Sequence, residues 1–183
     1  MAALSVAAFI PTHAQILSNG SFETGSFSGW TTANLNATFV APSGFDSYPA
    51  QDGNYFAALG NVGSPANISQ SFSDVAGQSY DFNFYVASNG SANSFSASVN
   101  GVDVLAPTYI PPQGYTLYSY MFTGTGNDTI SFSAEDDPAY IALDNVSVNP
   151  AGMAATPEPS SLMLMGTGIL GMAGVLRRRF KQA

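Results

Sequence analysis

Tyr80-Asp81-Phe82-Asn83-Phe84-Tyr85-Val86 is the stretch that decides the fold. Tyr80, Phe82, Phe84 and Val86 share one parity, and Asp81, Asn83 and Tyr85 share the other. Successive side chains of an extended strand point to opposite faces, so this alternation predicts a strand with one apolar row turned inward and one polar row turned out. The same period recurs on both sides. Upstream, Ile68, Gln70 and Phe72 alternate with Ser69 and Ser71, and Asp52-Gly53-Asn54 leads into the apolar run Tyr55 to Leu59. Downstream, Phe95, Ala97 and Val99 alternate with serines and meet Asn100-Gly101, after which Val102-Asp103-Val104 follows. Asn-Gly between alternating runs predicts a hairpin, because a type I′ turn needs positive φ at both central residues.

Further on, Thr108 to Gly114, with Pro111-Pro112, reads as a loop. Leu117 or Tyr118, Tyr120 and Phe122 form a strand, Ile130, Phe132 and Ala134 return, Glu135-Asp136-Asp137-Pro138 reads as an acidic solvated turn, and a last strand covers Tyr140 to Asn149. In that last strand Ile141 and Leu143 have one parity and Val146 and Val148 the other, so the inward alternation slips at Asp144-Asn145 as it does at a β-bulge. Asn19 to Thr31 punctuates short aromatic pieces with turn residues. Eight or so short strands, no convincing helix and no internal repeat predict an all-β antiparallel sandwich of the jelly-roll kind, occupying residues 15–150.

Charge is distributed unevenly. All four Lys and Arg lie in the last seven residues, whereas 11 of the 12 acids lie between Gln15 and Thr156. A body without cations cannot release phosphate counterions, which excludes nucleic acid as a partner; its acidic, Asn- and Ser-rich surface suits neutral glycans or divalent cations. There is no Cys, so disulfides, thiolate metal sites and thiol catalysis are excluded. With no body Lys and the single histidine at position 13, no Schiff base or Ser-His relay is available either. Paired carboxylates are the one remaining catalytic device, and nothing in the sequence brings two of them across a cleft. No enzyme is expected.

Both ends carry targeting patterns. Ala2 to Ile10 is apolar and Thr12-His13-Ala14 fits a signal-peptidase site, so residues 1–14 read as a secretory leader. No Lys or Arg precedes the apolar stretch, and the leader is expected to be truncated at its N-terminus. At the other end, residues 151–156 form a spacer before Pro157-Glu158-Pro159-Ser160-Ser161, then an apolar run from Leu162 to Leu176, then Arg177-Arg178-Arg179-Phe180-Lys181. An apolar segment closed by arginines is the order of a membrane anchor with a stop-transfer signal. Fifteen residues rise only about 22 Å as a helix against roughly 30 Å of hydrocarbon, a marginal span that suits a temporary anchor.

The order Pro157-Glu158-Pro159, small residues, apolar helix, arginine cluster resembles the PEP-CTERM sorting signal of Gram-negative bacteria, here over residues 157–181. The resemblance implies recognition of Pro157, Glu158 and Pro159 by an exosortase, Arg177, Arg178 and Arg179 as the stop-transfer cluster, a transient inner-membrane anchor, and delivery to the surface or extracellular matrix. Signal peptidase is the expected partner at the other end.

Asn19-Gly20-Ser21-Phe22-Glu23 with Gly29-Trp30, Asp52-Gly53-Asn54-Tyr55, and Ile141-Ala142-Leu143-Asp144-Asn145-Val146-Ser147-Val148 together resemble the galactose-binding-like jelly roll of carbohydrate-binding modules. That resemblance implies first and last strands side by side, with a structural calcium at their junction held by Glu23 and Asp144 and a third ligand in Asp52. Trp30, Tyr48, Tyr109, Tyr115 and Tyr118 stand near the predicted loops, where aromatic faces can stack on sugar rings. The expected function is therefore a non-catalytic surface or matrix protein that binds exopolysaccharide. A structural or adhesion protein without a glycan ligand is the alternative, and a glycoside hydrolase stands further back.

Overall fold

The computed structural model describes residues 16–152. The leader at 1–14, the spacer beyond residue 152 and the sorting segment at 157–181, with its expected transmembrane helix, lie outside the described residues. Among the described residues ten strands run in the order β1 (Thr31–Ala33), β2 (Thr38–Pro42), β3 (Tyr55–Leu59), β4 (Ala66–Ser73), β5 (Ser79–Ser88), β6 (Ala92–Val99), β7 (Val102–Thr108), β8 (Gln113–Thr123), β9 (Asn127–Asp137) and β10 (Ile141–Pro150). They form two five-stranded antiparallel sheets, β1-β4-β9-β6-β7 and β2-β3-β10-β5-β8. Among the described residues no helix is long and apolar enough to cross a membrane.

The core lies between the sheets and is built from the alternating rows. Tyr80, Phe82, Phe84 and Val86 of β5 are all buried, as are Ile68 and Phe72 of β4, Phe95, Ala97 and Val99 of β6, and Ile130, Phe132 and Ala134 of β9. Phe132 joins the layers, with its ring 5.0 Å from Phe84 and 5.6 Å from Phe82. Gln70, in the inward row of β4, is reconciled with burial by mimicking a strand partner: Oε1 accepts the Ser18 N–H at 2.7 Å and Nε2 donates to the Ser18 carbonyl at 2.9 Å.

The two predicted backbone irregularities are present. Val99 pairs with Val102 across Asn100 (φ 52°) and Gly101 (φ 75°), the two positive φ values of the hairpin turn. In β10, Asp144 faces Tyr85 and Ser147 faces Asn83, so one extra residue is accommodated on β10, with Asn145 at φ 47°. The bulge lets Leu143 and Val146 both face inward, while Asp144 keeps the outward parity it shares with Ala142.

Other expectations are corrected. Residues 16–30 form no strand. Asn19 organises them instead, its Nδ2 donating to the carbonyls of Ser26 and Ser28 and its Oδ1 accepting the Thr24 N–H. The first strand therefore pairs with β4 rather than with the last one, and the N-terminal segment is bonded to β10 at the bulge, where the Val146 N–H donates to the Gly20 carbonyl. The loop expected over 108–114 shrinks to 109–112. Glu135 to Asp137 are strand, not a solvated turn, because β6 pairs with β9 as far as Asp137 and Asp136 falls in the inward row, 1% exposed.

Candidate functional site

The outer face of the second sheet is laid out by its register. Leu117 of β8, Tyr85 of β5 and Asp144 of β10 form one row; Ser119, Asn83 and Ser147 the next; Met121, Asp81 and Asn149 the third. Towards β2 the same face is covered. The segment 43–54, with a single 3-10 turn at Phe45–Ser47, lies over a floor of Ala41, Ala58, Ala87 and Ala142, and Phe45, Tyr48, Phe56, Tyr115 and Tyr140 fill the space. Small residues in the strands make room for those rings, so one half of the face is closed and the other open.

Tyr85, Asn83, Asp81, Ser147 and Asn149 occupy the open half, partly or fully exposed. Among the described residues none of the five side chains makes a hydrogen bond. Elsewhere the body uses such groups structurally: Asn19, Asn34, Asn61, Asn93 and Asn100 all bond neighbouring backbone or side chains. An aromatic ring beside uncommitted amide, hydroxyl and carboxylate groups can stack on a sugar and bond its hydroxyls. The outward parity of Tyr85 in the Tyr80–Val86 stretch is the sequence signal that marks it, whereas proximity to loops marks other aromatics.

The five aromatics expected to bind glycan divide accordingly. Trp30 is a core residue, 8% exposed, stacked on Phe22 with centroids 5.5 Å apart, and its Nε1 donates to the Asn19 carbonyl at 3.1 Å. No face of it is offered to a ligand. Tyr118 lies in the inward row of β8 and stacks on Phe84 at 5.5 Å and 3°. Tyr109 is exposed, and its hydroxyl ties down a turn by donating to the Gly90 carbonyl. Tyr48 and Tyr115 do come together, packed on the closed half of the outer face, and both hydroxyls are buried with no hydrogen-bond partner among the described residues. Burial pushes the Tyr115 phenol up strongly, with the charges of Asp144 and Tyr48 adding to it. Sequence gave no means of pairing these two rings.

Glu23, Asp52 and Asp144 are drawn to one loop, but as clamps. Both Glu23 oxygens accept the Asn54 N–H at 2.9 Å and Oε1 also accepts that of Tyr55. Asp144 Oδ2 accepts the N–H groups of Gln51 (2.7 Å) and Asp52 (3.1 Å), and Oδ1 that of Asn145 (2.7 Å). Asp52 accepts the Ser21 hydroxyl. The N–H donors on Glu23 and Asp144 set positive hydrogens where a cation would sit, and Asp52 is turned to the Ser21 hydroxyl, so this arrangement does not fit calcium. Among the described residues no three carboxylates converge on a point. Burial raises the Asp144 carboxyl to about 6 despite the three N–H donors that oppose it, and the Asp52 charge adds to the rise.

Two further buried acids, unforeseen from the sequence, stabilise loops. Asp136 accepts the Ser91 hydroxyl and is pushed up by burial and by the charges of Asp46 and Asp137. Burial opposes ionisation of Asp128, yet hydrogen bonds from Asp74, Thr125 and Asn100 outweigh it and hold Asp128 low, while Asp74 is pushed up by burial and by its bond to Asp128.

The chain matches the PEP-CTERM protein-sorting motif over residues 155–179, which contains Pro157 to Pro159 and the arginine cluster. The chain is thus marked as an exported protein. None of the curated proteins matches it. Among solved structures, it is similar to TmCBM61 in complex with beta-1,4-galactotriose (20% identity, 75% of this chain and 99% of that one, TM-score 0.59). It is also similar to the CBM22-1 xylan-binding domain from Paenibacillus barcinonensis Xyn10C (20% identity, 74% and 94%, TM-score 0.51). A third is the C-terminal family 22 carbohydrate binding module of Clostridium thermocellum Xyn10B (16% identity, 79% and 99%, TM-score 0.54). At these identities the likeness is one of fold, a two-sheet sandwich of the carbohydrate-binding-module kind.

Proposed function

We propose that this is an exported, non-catalytic polysaccharide-binding protein whose ligand lies on the open half of the outer face of the second sheet. The observation that carries the reading is the patch of Tyr85, Asn83, Asp81, Ser147 and Asn149, whose polar groups are not engaged within the described residues. Tyr85 stacks on a sugar ring, and Asn83 and Ser147, opposite each other in register, bond its hydroxyls. The body has no cation with which to hold acidic sugars, so a neutral glycan is preferred. Residues 157–181 deliver the domain: the apolar run anchors it in the inner membrane, an exosortase acts at Pro157-Glu158-Pro159, and the sandwich reaches the surface or matrix of a Gram-negative bacterium. The likeness in fold to carbohydrate-binding modules supports this reading. Screening the protein against a glycan array tests it. Saturable binding that Asn83→Ala weakens at least tenfold is expected, and binding to no glycan refutes it.

A further inference from the structure

The four edge strands of the sandwich differ in how they are protected. β1 is three residues long, β2 is five and ends in Pro42, and β7 carries Asp103 and Pro107 and pairs with β6 through two register shifts. Shortness, proline, charge and irregularity each discourage a second strand from adding to an edge. β8 is neither short nor interrupted by charge or proline: eleven residues, Gln113 to Thr123, at the end of its sheet, with its one register shift confined to the start of the strand, between Gln113 and Thr116, and regular pairing from Thr116 to Thr123. Leu117 (49% exposed) and Met121 (70%) project from it on the outer face.

We infer that β8 is a homodimerisation edge, pairing antiparallel with β8 of a second copy. Two observations select a second copy over another partner. The body carries 11 carboxylates and no cation, so copies repel wherever acids face each other, and β8 is an uncharged strip where they do not. The strand is also self-complementary. A two-fold axis through Ser119 sets Leu117 opposite the second copy's Met121, and Met121 opposite its Leu117, which covers both exposed apolar side chains at once. Thr116 then faces Phe122, Tyr118 faces Tyr120, and no pair is charged. The result is one ten-stranded sheet with two copies of the open outer face side by side. An edge pairing buries less than the roughly 1,200–2,000 Å² of a standard stable interface, so the dimer is concentration-dependent.

The chain has no Cys, which gives a direct test. In the full chain solubilised in mild detergent, Ser119→Cys is oxidised with copper-phenanthroline, alongside Val102→Cys on the exposed β7 edge. Ser119→Cys is expected to cross-link at least fivefold faster. Added Leu117→Asp/Met121→Asp, which opposes like charges across the axis, is expected to abolish the excess, and Leu117→Asp/Met121→Lys, which opposes unlike ones, to restore it. Circular dichroism confirms that each variant is folded. Equal cross-linking at positions 102 and 119, or no difference between the two charge variants, overturns the inference. The readout is independent of glycan binding.

Discussion

Trp30→Ala separates two roles for one side chain, because a sugar platform and a core residue respond to truncation in opposite ways. The indole is 8% exposed, stacks on Phe22 and lies 6.2 Å from Phe132, and it closes residues 16–30 over the core through its bond to the Asn19 carbonyl. Removing a buried Trp costs about 3–5 kcal/mol through lost transfer energy and the cavity left behind. Unfolding entropy of about 2.1 cal/mol/K per residue, over a body of roughly 140 residues, is about 0.3 kcal/mol/K, so a loss of about 4 kcal/mol lowers the melting midpoint by roughly 13 °C. Thermal melts by circular dichroism measure it, since the variant lacks the only Trp. In the wild type that indole provides a second readout: blue-shifted emission and weak acrylamide quenching until the body unfolds. A Trp30→Ala midpoint within about 3 °C of wild type, together with loss of glycan binding, would refute the placement of Trp30 in the core.

Asp144 has a folded pKa of about 6, above its unfolded 3.8, so its stabilising contribution is complete below about pH 4 and is lost as pH rises through 6. About two units correspond to about 3 kcal/mol. Urea midpoints from pH 4 to 7 should fall more steeply for wild type than for Asp144→Asn, and parallel profiles would contradict this. Gly53 has φ +65° and a Cβ there would meet the Glu23 carboxylate, so Gly53→Ala should destabilise the body by about 1–3 kcal/mol in denaturant titrations, whereas an unchanged midpoint would dissolve the clamp. Chelator should leave the melting midpoint unchanged, while a drop would reinstate calcium at Glu23, Asp52 and Asp144. Changing Pro157, Glu158 and Pro159 together to alanine should hold the protein in the membrane at full length, as read by fractionation and immunoblot, and normal release would defeat the sorting reading.

What the sequence disclosed followed from short-range rules. Alternation placed Tyr80, Phe82, Phe84 and Val86 inward, Asn100-Gly101 fixed a hairpin, and the parity slip at Asp144-Asn145 marked a bulge, since each depends on neighbours along the chain. Residues 16–30 escaped because they are held by distant partners, Ser18 by Gln70 and Gly20 by Val146, which no local pattern announces. Four turn-like residues ending in Pro138 predict a solvated Asp136, yet pairing with β6 carries the strand through it. The site suffered from the same limit. Proximity to loops favours Trp30 and Tyr118, whose rings turn inward, while alternation places Tyr85 on the polar face of β5 and says nothing of its neighbours there. Only the register of β8, β5 and β10 shows that its neighbours are Leu117 and Asp144, with Asn83 and Ser147 in the next row.

Affinity electrophoresis through gels containing galactan, xylan or the exopolysaccharide of the producing bacterium tests the central claim most directly, with wild type run beside Tyr85→Ala. Retarded migration in at least one gel is predicted, abolished in Tyr85→Ala while its melting midpoint stays within a few degrees of wild type. Retardation that persists in a folded Tyr85→Ala, or none in any gel, would contradict the assignment of the open face of the second sheet as the glycan site.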